Sequence, residues 1–418
     1  MKNVFVTGIG VISPLGISPE DHISALKNFI SGIQDTSGNN NYFLDNYGIA
    51  ADFNPKDFIE DKKALKIMSR QTILGCSAAV IAIKNAGLDK HKIEEELNDN
   101  AVIFGAGIWN GSIITMIDAL KTSITSNGQI DYALLGNEGY RNLPPLWILP
   151  RLPNTTAGQI SIQNKIKGLN YTVVNGPNNG IIAIGEAFIN IKTGRCKRII
   201  SGGAEGTAYA DLYSPLKKRG IVTDNVNDSV PFGLRSKGYL CGEGAAVVVI
   251  EDDNAVNRQV SIKAEIVGYN NCYIPDFNLQ DIERISIIYE TCIRETLNSA
   301  GVQTEQIGFV QASASGHPVL DRAEASAILQ LFGHKVAVTS IHSLTGNLFA
   351  ASGPTSLACA IFQMNNGFIS PMGHDNNLFF KDEINYILNN AKITNTEYVL
   401  VNSFDFTGSA CCILLKKY

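Results

Sequence analysis

Residues 171–187 read YTVVNGPNNGIIAIGEA, an alternating strand from Tyr171 to Val174, then a turn, then an apolar helix starting near Pro177. A strand, turn and helix laid out in this way puts the turn residue at a helix N-terminus, where the backbone dipole stabilises an anion. Such a turn is a place for a nucleophile. No Cys, Ser or Lys stands at it.

Other chemistry-bearing residues are scattered. Eight cysteines fall at positions 76, 196, 241, 272, 292, 359, 411 and 412 with no CxxC pair, mostly in apolar runs such as SLACA and ACCILL. They read as small core residues in a reducing cytosol, with neither a disulfide frame nor a zinc site. Cys196 and Cys241, at a helix end and a strand end, read the same way. The six histidines form no HExxH-like pair, and neither a metal nor a cofactor is expected. GIGVIS near the N-terminus follows a strand but carries Ser13 where a dinucleotide loop needs its third glycine, so it reads as a structural turn.

The elements that must position a site alternate along the whole chain. VFVTGIG, AVIFGAG, YTVV, RIISGGAEG and AAVVVIE read as strands; QTILGCSAAVIAIKNAG and GIIAIGEAFINIKTG read as helices with a Gly stop. After about Asp253 the pattern restarts with the strand VSIKAEIVGY, the long amphipathic helix DIERISIIYETCIRETLNSAG, the strand IGFVQASAS, the helix AEASAILQLFG and a final hairpin of YVLVNSFDF with ACCILLKK. Two α/β halves follow, 1–253 and 254–418, each with an apolar sheet that helices must cover on both faces. The 418 residues are 45% hydrophobic and 17% charged, which excludes general disorder. A formal net charge of −5 argues against nucleic acid or an anionic membrane as the main partner. The N-terminus lacks the long apolar run of a signal peptide and no run approaches a membrane span, so a cytoplasmic location is expected.

Six segments, VFVTGIGVISPLG, LPNTTAGQISIQNKIKGLNYTVV, RIISGGAEG, VPFGLRSKGYLCGEGAAVVVIE, HSLTGNLFAASGP and VNSFDFTGSA, occur in one order at sensible distances. The series resembles the β-ketoacyl synthases of the thiolase fold over nearly the whole chain. That resemblance implies a five-layered α-β-α-β-α sandwich. It also implies a site in which an elbow Cys takes an acyl chain from a carrier protein, two His assist decarboxylation of a malonyl unit, and a Lys supports them. Carried over residue by residue, the elbow Cys falls on Pro177, the first His on Ser313, the supporting Lys on His342 and the second His on Asn347. No catalytic residue is therefore expected. Proline also removes the elbow N–H, one of the two oxyanion donors the resemblance implies. His317 and His342 lie near the lost positions in sequence, but no nucleophile accompanies them.

Within this superfamily, GHPVLDRAEASAI at 316–328 and LTGNLFAASGP resemble the chain-length factors, or ketosynthase β subunits, of type II polyketide synthases. Many members of that group carry Gln at the elbow, where Pro177 stands here, and NSFDFTG is closer to ordinary ketosynthases. The resemblance implies an obligate heterodimer with an active ketosynthase α subunit. In it the silent partner shapes a tunnel that sets poly-β-ketone length, and acyl carrier protein docks mainly on the active subunit. The tunnel-closing side chains implied are Trp109, Ile113 and Met116, on a helix over 108–120. Segment 135–160, rich in aromatic, Leu and Pro residues, is the expected partner-facing region. The alternatives are a malonyl-carrier-protein decarboxylase and a chain-length factor of an aryl-polyene-type reducing pathway.

Overall fold

The computed structural model describes residues 1–89, 93, 99–107, 113–206 and 209–418. Its N-terminal half contributes strands β1 (Phe5–Ile12), β2 (Asn100–Gly105), β3 (Asn170–Val173), β4 (Arg198–Glu205) and β5 (Gly244–Glu251). The C-terminal half contributes β6 (Ala264–Tyr273), β7 (Ile307–Gln311), β8 (Ala337–Thr339), β9 (Asn385–Tyr386), β10 (Tyr398–Phe404) and β11 (Ser409–Lys416). The spatial order is β3-β2-β4-β5-β1 followed by β6-β11-β10-β7-β8-β9.

Each half thus repeats one plan. Its second strand lies parallel to the third and fourth, and its fifth runs antiparallel between the fourth and the first. Only the short β9 is extra. The two sheets expected from the sequence meet at a seam of two residue pairs, Phe5 with Glu265 and Val6 with Ala264, so the hydrogen bonding runs through eleven strands.

Strand periodicity explains the layers. Along β5, Ala245, Val247 and Val249 face a core that holds Leu74, Ala78 and Ala82 of helix α1 (Arg70–Asn85). Ala246, Val248 and Ile250 point the other way, into a core shared by helices α2 (Asn179–Lys192) and α5 (Ser352–Asn365). Val399, Val401, Ile413 and Leu415 enter that same middle core from the second sheet. Leu400, Cys412 and Leu414 face outward onto α3 (Ile282–Ala300) and α4 (Pro318–Phe332). Successive side chains of a strand alternate faces, so strands covered on both sides must be apolar throughout. The result is the five-layered thiolase-like sandwich. Among the described residues no helix is long and apolar enough to cross a membrane.

Seven cysteines are buried, Cys272 is half-buried, and all eight are free. Tyr289 on α3 stacks on Phe404 with ring centroids 3.8 Å apart, yet its buried hydroxyl has no partner among the described residues. An orphan hydroxyl carries a desolvation cost that phenylalanine lacks. Tyr289→Phe is therefore expected to raise unfolding free energy by about 1 kcal/mol in a urea titration; an equal loss would mean that the hydroxyl is in fact satisfied.

Over the described part of the helix expected at 108–120, residues 113–120, a regular helix is not what forms. Ile113–Met116 is a 3₁₀ turn, followed by a five-residue helix, Ile117–Lys121. Ile113 is exposed, and its amide donates to Asp211 at 2.9 Å, a bond that holds the turn away from a longer helical path. Trp109 lies outside the described residues.

Candidate functional site

The sequence places the elbow where β3 delivers it. After Val173 the chain turns, and α2 begins at Asn179 with Asn178 as its cap. Pro177 stands just before the cap, not inside the first turn as the sequence suggests. The bond from Asn179 N to Gly176 O closes the intervening turn. The elbow approaches the C-terminal half very closely. A Cβ on Gly180 would collide with the carbonyl oxygen of Ala350 and come within 2.7 Å of Pro354 Cγ.

Pro177, Ser313, His342 and Asn347 line one cavity, together with Tyr239, Phe349, Phe404 and Phe406. Four positions spread over 171 residues of sequence are brought to one place. The cavity measures about 10 Å³, which is the scale of a single water molecule. Four aromatic rings border it. Phe406 sits 6.3 Å from Tyr239 and 6.4 Å from Phe349 by ring centroids. Phe349 holds a left-handed backbone (φ 44°), rare for a bulky side chain and fixed here by its amide bond to Asn347 Oδ1 at 2.8 Å.

Each position has a structural role. Ser313 Oγ accepts from the amide of Phe404 at 2.8 Å and donates to its carbonyl at 3.1 Å. Asn347 Oδ1 also accepts from Ser352 Oγ, while its amide nitrogen donates to Ser315 Oγ. His342 presents Nδ1 to the carbonyl of Ala314 at 3.1 Å, so that nitrogen carries the proton and Nε2 is bare. Nε2 is buried without a partner, and burial lowers the pKa of the ring to about 4. His317 does not line this cavity. Its side chain caps α4, accepting from the amide of Leu320. Burial pushes the thiols of Cys196 and Cys241 up, away from reactivity.

Sequence reading missed the residue that ties the site together. In the hairpin turn between β10 and β11, Asp405 Oδ2 accepts from the amide of Asn178 at 3.1 Å. Its Oδ1 accepts from Thr407 N, Thr407 Oγ1 and Ser409 N. Burial raises the Asp405 carboxyl to about 6 against these hydrogen bonds. The available signal was the Asp-Phe-Thr run, since an Asp that bonds the residue two places on is a turn-forming pattern. Two further buried carboxyls lie beside the cavity on α4. Glu324 accepts from Ser313 N and Asn402 Nδ2, and burial raises it to about 8; Asp321 accepts from Phe232, Ser315 and Gly316 amides and is raised to about 7.

Among the described residues, no Cys, Lys or Arg lines the cavity. Of its hydroxyls, Ser313, Ser352 and Ser403 are hydrogen-bonded into the surrounding frame, and Ser356 Oγ is buried without a partner. Ile113 is exposed and Met116 half-buried, and neither lines this cavity.

A doubled α/β plan with an elbow helix between two sheets defines the class as thiolase-like. The family follows from comparison. Residues 1–255 match the β-ketoacyl synthase N-terminal domain and residues 286–375 the β-ketoacyl synthase C-terminal domain. The chain belongs to the β-ketoacyl synthase family. It is 27% identical to a 3-oxoacyl-[acyl-carrier-protein] synthase 2 of Staphylococcus aureus (strain N315), covering 100% of this chain and 99% of that protein. It is 26% identical to a 3-oxoacyl-[acyl-carrier-protein] synthase 2 of Rhizobium meliloti (strain 1021), again over 100% of this chain and 99% of that protein. Among solved structures, the ishigamide ketosynthase/chain length factor superposes with a TM-score of 0.84 at 23% identity, over 100% of this chain and 99% of that one. A β-ketoacyl synthase from Burkholderia phymatum STM815 gives 0.84 at 22%, with both chains covered in full. AntDE:AntF, a type II polyketide synthase acyl-carrier protein in complex with its ketosynthase, gives 0.78 at 18%, over 100% and 99%.

Proposed function

We propose that this chain is a catalytically silent ketosynthase-like subunit that pairs with an active ketosynthase and shapes the tunnel limiting poly-β-ketone length. The observation that carries this reading is Pro177 at the elbow, in a cavity of about 10 Å³ whose described lining offers no thiol. Among the described lining residues an acyl chain meets no thiol, and a cavity of this volume does not admit it. Loss of a nucleophile costs on the order of a millionfold in rate, and loss of an oxyanion donor roughly a further hundred- to thousandfold.

The pairing half of the reading is supported by the free edge of the sheet. Among the described residues, strand β3 is an edge strand, hydrogen-bonded only to β2. Leu169, Val174 and Ile162 are exposed around it, and Tyr140, Leu146, Ile148 and Leu152 are exposed within segment 135–160. Exposed apolar side chains bordering an unpaired edge favour a protein partner that continues the sheet. Tunnel closure by Trp109, Ile113 and Met116 stays part of the proposal.

The test is co-expression with an active ketosynthase, followed by size-exclusion and product analysis with malonyl-loaded carrier protein. A 1:1 complex that makes polyketide while each subunit alone is inert is the expected result. Malonyl decarboxylation or condensation by this chain alone would sink it. The carbonyls of Leu169 and Val173 accept from the amides of Val102 and Ala106, so strand alternation points the Thr172 amide to the free edge. Thr172→Pro should thus spare the fold and weaken pairing at least about tenfold. Unchanged pairing would move the interface elsewhere.

A further inference from the structure

Resting on the silent-subunit reading, we propose that Asp405 is a built-in anion that seals the elbow, so that restoring a thiol at residue 177 does not by itself restore a reactive thiolate. The helix N-terminus is where an oxyanion or thiolate would be stabilised, and its Asn178 amide is already taken by Asp405 Oδ2. The same carboxylate fixes Thr407 and Ser409 in the hairpin turn.

The Asn178 side chain completes the lock. Its amide nitrogen donates to the carbonyls of Ser403 and Ser409, and its oxygen accepts from Ser403 Oγ. The N-terminus of α2 and the β10–β11 turn are therefore one hydrogen-bonded unit joining the two halves. A Cβ built on Gly176 would lie 3.7 Å from Asp405 Oδ2, which puts the carboxylate beside the turn that holds residue 177. The other titratable groups lining this cavity are His342 and Tyr239. Burial lowers the first and raises the second, so both are neutral near pH 7.

A carboxylate next to a thiol disfavours the thiolate by like-charge repulsion. The loss of reactivity then has two parts, of which Pro177 is the visible one. Removing the charge from residue 405 should release the second part.

The experiment compares Pro177→Cys with Pro177→Cys/Asp405→Asn, reading thiolate absorbance in the far ultraviolet against the parent chain as pH rises. This readout does not require a reagent to enter the small cavity. The introduced thiol in the single variant should titrate above the ordinary thiol value of about 8.5. In the double variant it should titrate at least about one unit lower, giving roughly tenfold more thiolate at pH 7. Coincident titrations would overturn the proposal. Should the double variant fail to fold, Asp405→Ala in the natural background gives a second arm. Exchange of the Asn178 amide should accelerate about 10- to 100-fold, as expected for loss of a charged hydrogen bond. Unchanged exchange would equally overturn it. Neither arm depends on a ketosynthase, so failure of the pairing assay and failure of the Asp405 role are separate results.

Discussion

Gly180→Ala is expected to leave little folded chain, a loss of more than about 4 kcal/mol, at the extreme end for a single methyl group. Two backbones meet at this glycine. Its Cα faces the Ala350 carbonyl, Pro354 Cγ and the Cα of Gly203, so an added methyl can be accommodated only by moving a helix off a sheet in the middle layer. The control is Gly158, which lies inside the helix Thr155–Gln163 with no atom within 4 Å of a built Cβ. There the same substitution should stabilise by about 0.5–1 kcal/mol, because alanine gives up less backbone freedom in a helix. Soluble yield and denaturant midpoints of the two variants measure both effects. If the two behave alike, the close approach of the elbow to residues 349–351 does not hold the halves together.

Stability should decline as pH rises from about 6.5 to about 7.5. Glu324, Asp321 and Asp405 have carboxyls raised to about 8, 7 and 6 in the folded chain. Between their ordinary values near 4 and these raised ones, the folded state keeps protons that the unfolded state has lost. Unfolding then becomes easier as pH rises. His317 and His342 have the opposite sign. Burial lowers both to about 4, so the unfolded state binds their protons first as pH falls below about 6.5, which opposes the carboxyl trend there.

Between about pH 6.5 and 7.5 the carboxyls dominate, because the buried thiols, also raised by burial, add a loss of the same sign only nearer the ordinary thiol value of about 8.5. Glu324 dominates because its raised value is the highest of the three, and the charge on Asp321 pushes it further up. Glu324→Gln keeps an oxygen to accept from Ser313 N and Asn402 Nδ2 and has no proton to lose. Urea midpoints at pH 6.5 and about 7.5 should show a marked fall in the parent and a smaller one in the variant. An identical fall in both would place the alkaline loss outside α4.

The sequence made the doubled plan and the elbow legible, because both depend on local pattern. Apolar runs mark strands buried on both faces, and collinear motifs align Pro177, Ser313, His342 and Asn347 with the positions of one site. The helical stripe of Trp109, Ile113 and Met116 rests on the resemblance and on helical spacing. A hydrogen bond from Ile113 to Asp211, 98 positions away, tightens that segment into a 3₁₀ turn, and spacing carries no trace of such a bond. Asp405 escaped notice for a related reason. Its importance comes from Asn178, 227 positions earlier, and only the folded chain places them together. The seam of Phe5 and Val6 with Glu265 and Ala264 was equally hidden, since each strand looks complete within its own half.

The bare rim of β3 has a consequence for how much of this protein a cell can hold. A strand with its outward amides unengaged, flanked by Leu169 and Val174, is an adhesive surface for any extended peptide, including another copy of itself. Copies made in excess of whatever covers that rim would be drawn into aggregates or handed to chaperones and proteases. Its abundance would then be set by matched synthesis with its cover rather than by the intrinsic stability of its own packed layers.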